Sequence, residues 1–214
     1  MTPAAAATAS TAKGASTRGM LLERACGMAA KVGLEGLTIG ELASAAGMSK
    51  SGVFAHFGSR EDLVRQTLDW AAGQFIAEVM TPALRLPRGM PRLRAIGNAW
   101  LAWISEHPDG CVFLGAAMEY DGRPGPMRDH VASMLESWRA ALERAVALAV
   151  EEGHLRAGTD PALVAFQFQA LMQGYHHARM HHPQSARTLT ERAIADLFAR
   201  YQADAPAPAA SPRP

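Results

Sequence analysis

Residues 38–57 leave this chain few ways to fold. Thr38, with Glu41 three residues on, has the spacing of a capping box, and Leu37 and Leu42 flank it as a hydrophobic staple, so a helix starts at Ile39. Gly47 follows, where a left-handed turn costs a glycine little, and Ser49 then caps a second helix. Two helix starts this close force two short helices to meet at a steep angle. Ala43 is small enough to sit where they touch, and Leu42, Ala46, Met48 and Val53 supply the apolar seam. The pattern is a helix-turn-helix, whose second helix enters a major groove.

An ordinary helical hairpin would show the same seam, so charge has to separate the two readings. The whole chain carries 21 Lys+Arg against 20 Asp+Glu, a formal charge of +1, which on its face opposes a polyanionic partner. The average hides a division. Residues 1–65 hold seven bases and five acids, and the rest of the chain is net negative by one. No acid occurs among the 19 residues between Glu41 and Glu61, a window that contains Lys50, His56 and Arg60. Acid depletion over a short helix of small residues suits close approach to phosphates.

The runs Leu37-Thr38-Ile39, Ala46-Gly47-Met48-Ser49-Lys50 and Phe54-Ala55-His56-Phe57-Gly58-Ser59-Arg60-Glu61 resemble the TetR family of one-component transcriptional regulators. The likeness covers about residues 15–75; beyond them only helical plan and chain length agree. It implies that Thr38 caps the first helix of the motif and can bond a phosphate. Ser49, Lys50, Ser51 and Gly52 would open the recognition helix toward bases or phosphates. Phe57 would anchor the head's core, His56 would be a phosphate or packing contact, and Arg60 would hold the DNA backbone where the family usually has Lys. Phe54 replaces the usual Tyr, which removes one hydroxyl-to-phosphate bond. Lys13 and Arg18 lie where a minor-groove contact is within reach.

The rest of the chain reads as all-α, about nine helices. Met127, Val131, Met134, Leu135, Trp138, Leu142, Ala145, Val146 and Ala149 keep helical spacing up to Gly153, and Ile194, Leu197, Phe198 and Tyr201 do so near the end. From Pro161 through Ala178 there is no Asp, Glu, Lys or Arg, as expected of a helix buried on two sides. The organisation expected is an unstructured arm over 1–14, a DNA-binding head over 15–75, a ligand-binding and dimerisation domain over 76–203, and an unstructured tail over 204–214. The longest apolar runs, Ala99–Ile104 and Ala145–Val150, have six residues each, against about 20 for a membrane span. With no signal-peptide core in the first 19 residues and only two cysteines, a cytoplasmic protein is expected.

In the family reading, the second domain holds a small apolar or aromatic inducer. Its candidate lining is Trp100, Trp103, Phe113, Met118, Met134, Trp138, Phe168 and Met172, side chains that serve equally well as ordinary core. Phe166, Leu171, Tyr175, Ile194 and Phe198 are the candidate faces of a homodimer, which predicts a pseudo-palindromic operator on double-stranded DNA. A DNA-binding factor without an inducer, architectural or partner-controlled, is the alternative. No metal or cofactor is expected: His177 and His181 are spaced i, i+4, but no Cys or carboxylate lies near His176–His182 to complete a site. Cys111 opens a short helix, where a thiol can become reactive, while inert burial is the default for it and for Cys26. The sequence holds no nucleophile elbow, P-loop or dinucleotide fingerprint, so no enzyme is expected.

Overall fold

The computed structural model describes the backbone of residues 3–203 and the side chains of residues 14–203. Among the described residues there is no strand; Leu155 and Gln202 form one isolated antiparallel bridge. In chain order the helices are α1 (Pro3–Val32), α2 (Ile39–Ala46), α3 (Lys50–Phe57), α4 (Arg60–Phe75), α5 (Thr81–Leu84), α6 (Met90–Glu106), α7 (Val112–Tyr120), α8 (Pro126–Glu151), α9 (Pro161–His181) and α10 (Ala186–Tyr201). A π turn over Ile76–Met80 joins α4 to α5. Pro82 sits in the first turn of α5 and cannot donate the next ladder bond, so the helix restarts there. With Arg60–Leu84 counted as one run, nine helical runs remain among the described residues.

The arm expected over 1–14 is not set apart: α1 begins at Pro3. Alanine is the strongest helix former, and no Gly or Pro falls between Ala4 and Lys13. Side chains of residues 1–13, Lys13 included, and the whole tail over 204–214 lie outside the described residues.

The chain divides into two compact units: residues 1–78 with 103–135, and residues 79–102 with 136–214. The division is not the linear one expected at residue 75. The first unit recruits α7 and the start of α8 onto the reading head. Its core joins Leu21 and Ala25 of α1, Leu42 of α2, Val53 and Phe57 of α3, and Leu63 and Leu68 of α4 to Ala116, Tyr120 and Val131. Ala116 and Tyr120 bury apolar surface in that core, so α7 is part of what holds the head together. The second unit is built on α9 and α10, with Phe168 against Phe198 at 5.1 Å between ring centroids. Asp160 caps α9 through Oδ1, which accepts from the N–H of Ala162 at 2.9 Å, and Pro161 follows in the first turn as expected.

Candidate nucleic-acid interface and an adjoining cavity

The helix-turn-helix forms as its caps dictate. Thr38 Oγ1 accepts from the Glu41 N–H at 3.1 Å, capping α2, and donates to Glu41 Oε2 at 2.9 Å. Gly47 ends α2 with φ +66°, and the Met48 N–H returns to the Ala43 carbonyl at 2.9 Å. Ser49 Oγ accepts from the Gly52 N–H at 3.1 Å and lies 3.2 Å from Ser51 Oγ. Leu42, Ala43 and Val53 are buried in the seam.

This leaves one face of α3 open. Lys50, Ser51, Phe54 and Ala55 are exposed and, with Ile39, line a shallow depression of about 400 Å³. Lys50 folds its stem toward Gly40, where an added Cβ would stand 3.1 Å from Lys50 Cε. Phe54 is 53% exposed, an apolar ring presented to solvent on a helix with no acid. Phe57 is buried as the core anchor, and His56 is half-buried with its ring 6.5 Å from that of Phe57.

Two cations expected to face DNA are used inside the head. Arg60 donates from Nε to the Leu37 carbonyl at 2.9 Å and from Nη2 to the Glu35 carbonyl at 2.6 Å, and it pairs with Glu35 Oε2 at 3.1 Å. Its guanidinium fork matches two carbonyls at the α1–α2 turn, so it braces that turn. Arg18 donates to Gln66 and lies over the Phe57 ring at 5.7 Å.

α7 completes the lock. Glu119 Oε2 accepts from the Leu34 N–H at 2.8 Å, and the Tyr120 hydroxyl donates to Glu35 Oε1 at 2.5 Å. The Tyr120 bond, and after it Arg60, holds the Glu35 carboxyl below the usual carboxylate range, while burial and Glu35 together push the Tyr120 hydroxyl upward. Residues 35 and 119–120 are too far apart in sequence for any local pattern to pair them.

The eight residues expected to line one ligand pocket are divided between the two units. Trp103 and Phe113 line a cavity of about 520 Å³ in the first unit. Trp100, Phe168 and Met172 are buried in the second unit, Trp138 is half-buried there, Met134 packs on the head's core, and Met118 is 66% exposed. Helical spacing places side chains on a face but does not say which neighbour that face meets. The cavity lies among α1, α4, the end of α6 and the start of α7, and Trp70, Gln74, His107, Cys26 and Cys111 complete its walls. Burial pushes the Cys26 thiol up to about 12, so it is inert; Cys111 is half-buried. A larger depression of about 810 Å³ in the second unit is edged by charges of both signs, Arg94 and Glu191, over Leu101, Leu155 and Phe198.

Of the five expected interface residues, Phe166 is 69% exposed, Leu171 and Ile194 are half-buried, and Tyr175 and Phe198 are buried in their own unit. The apolar surface left open on α9 and α10 is instead Leu163, Phe166, Met180 and Leu189. Among the described residues no three His, Cys, Asp or Glu converge as a metal site, and His176 keeps both ring nitrogens buried without a hydrogen-bond partner.

Comparison with known proteins decides the family. Residues 89–195 match the model of a tetracyclin repressor-like C-terminal domain, and residues 21–67 match that of bacterial regulatory proteins of the tetR family. The chain belongs to the TetR family. A relative, the HTH-type transcriptional repressor KstR2 of Mycobacterium tuberculosis, is 28% identical over 156 residues, 70% of this chain and 74% of that protein. A TetR regulator from Chloroflexus aurantiacus superposes with TM-score 0.76 at 23% identity, covering 90% of this chain and 99% of that one. AibR, solved with isovaleryl coenzyme A and operator DNA, superposes with TM-score 0.66 at 21% identity over 85% of this chain and 98% of its own. As a TetR-family member the protein is a DNA-binding transcriptional regulator and not an enzyme. Among the described residues no helix is long and apolar enough to cross a membrane.

Proposed function

We propose that the protein is a homodimeric cytoplasmic repressor that reads a pseudo-palindromic operator with α3 and leaves it when a small ligand occupies the cavity walled by Trp70, Trp103 and Phe113. The observation that carries the reading is the acid-free, capped helix α3, which turns Lys50, Ser51, Phe54 and Ala55 outward from a buried seam. Lys50 is suited to a phosphate or a guanine edge, and the Phe54 ring and Ala55 methyl to thymine methyls. Thr38, Ser49, Ser51 and Gly52 place hydroxyls and N–H groups at the two helix starts, where phosphates dock. The exposed apolar side chains Leu163, Phe166, Met180 and Leu189 are the candidate contacts for a second copy. Repression by KstR2, and AibR's capture with both operator and a coenzyme A ester, support a ligand-responsive repressor.

Selection of bound sequences from a random DNA pool at stated salt tests the reading. Enrichment of an inverted repeat is expected; an asymmetric or unenriched pool overturns the dimeric reader. A complex that no small molecule dissociates leaves a DNA-binding factor without an inducer.

A further inference from the structure

We infer that the cavity walled by Trp70, Trp103 and Phe113 takes a small lipophilic cation. The inference rests on the ligand site proposed above and adds the charge of what fills it. The cavity's volume of about 520 Å³ is in the range of small-molecule sites. Its body is aromatic. Phe75 backs both lining rings, with centroids 5.9 Å from Trp103 and 6.2 Å from Phe113, each edge to face. The faces of indole and phenyl rings carry negative potential and attract a cation within about 6 Å, tryptophan most strongly.

Apart from His107, whose ring stacks on Trp103 at 4.1 Å between centroids, the charged side chains in the lining are acidic. Glu23 of α1, Glu78 of the π turn, Glu106 at the end of α6 and Asp109 in the loop after it contribute carboxylates, and no Lys or Arg joins them. Only Asp109 is compensated, by Lys31 at 3.2 Å; among the described residues Glu23, Glu78 and Glu106 form no ion pair. Three stretches far apart in sequence thus bring like charges to one aromatic recess, where a low-dielectric wall focuses their field. An anion gains nothing from these walls and is repelled at the rim. A phosphate-bearing ester such as the one held by AibR is therefore the wrong ligand for this cavity. An apolar neutral molecule could use the rings but would leave the carboxylates idle. A delocalised cation uses both.

Two ions of the same shape and opposite charge, tetraphenylphosphonium and tetraphenylborate, isolate the effect of charge. Each is titrated into the full-length protein by calorimetry, with tryptophan fluorescence reporting contact with the walls. The phosphonium is expected to bind at least about tenfold more tightly than the borate. Changing Glu23, Glu78 and Glu106 together to Gln, all exposed positions, is expected to bring the ratio to within about threefold. Gly27→Leu places a side chain into open space at the cavity's edge and is expected to weaken phosphonium binding about tenfold or more, with helicity unchanged. Equal binding of the two ions, tighter borate, no binding of either, or a triple variant that keeps the wild-type ratio each overturn the inference. Operator binding measured without either ion separates this from the reading beneath it: its loss in wild type would sink the regulator proposal while leaving the ion preference standing.

Discussion

Gly47 and Gly33 both take left-handed backbone, with φ +66° and +78°, yet alanine should cost very different amounts at the two sites. At Gly47 an added Cβ meets nothing within 4 Å, so Gly47→Ala brings only backbone strain. That strain is about 1–2 kcal/mol, offset in part by about 0.4–1 kcal/mol from the stiffer unfolded chain, for a net cost near 1 kcal/mol. For a chain of this length the melting temperature should fall by about 2–4 °C. Gly33→Ala carries the same strain and in addition drives a methyl into the Glu119 carboxylate, which accepts from the Leu34 N–H at 2.8 Å. Displacing that acceptor forfeits a charge-assisted bond of about 1.5–3 kcal/mol, bringing the total to about 3 kcal/mol and the shift to about 6–12 °C. Thermal unfolding followed by circular dichroism reads both. The decisive comparison repeats each substitution in a Glu119→Ala background, where the excess cost at Gly33 should vanish and the cost at Gly47 should persist. Equal destabilisation by the two alanines in the wild-type background would refute the role given to Glu119.

Lys50→Ala should weaken operator binding by about tenfold or more and lower the salt slope by about 1, with the melting temperature unmoved; an unchanged slope would mean that Lys50 meets no phosphate. Tyr120→Phe removes the strongest contact that lowers the Glu35 carboxyl, so NMR titration should find that group shifted up toward its ordinary value of 4.5. The contribution of a depressed carboxylate is present above its unfolded pKa and lost as pH falls through the folded value. Wild type and Tyr120→Phe should therefore differ most near neutrality and converge in acid, and a constant gap would contradict the assignment. His176 is held below its ordinary value by burial, then by Arg179 and His177, so the folded state disfavours its protonation. Stability should fall as pH drops below about 6.5, and His176→Leu should flatten that limb; parallel pH profiles would rule His176 out as its source.

The reading motif was legible because its determinants are local. Thr38, Gly47, Ser49 and the seam residues act within a few positions of one another, and all form the caps and contacts that their spacing implies. The all-α plan followed from apolar periodicity for the same reason. What escaped were long-range pairings. Arg60 lies in an acid-free window and has the charge expected of a DNA contact, but its partners are Glu35 and two carbonyls of a turn 23–25 residues earlier. Glu119 and Tyr120 carried no signal at all, since what they bind is 85 residues away. The cavity was half visible: its aromatics could be suspected from composition, whereas Glu23, Glu78 and Glu106 are unremarkable surface acids until three elements converge.

The recruitment of α7 sets a rule for taking this regulator apart. A fragment ending near residue 75 would keep every residue of the reading motif and lose Ala116, Tyr120 and Val131, the part of the core that arrives from later in the chain, together with the Glu119 acceptor. Chimaeras that graft this head onto another sensor should therefore transplant two segments, residues 1–78 and 103–135, and keep the connection between them as a replaceable insert. A single crossover would hand the new partner a head whose first turn has lost its clasp.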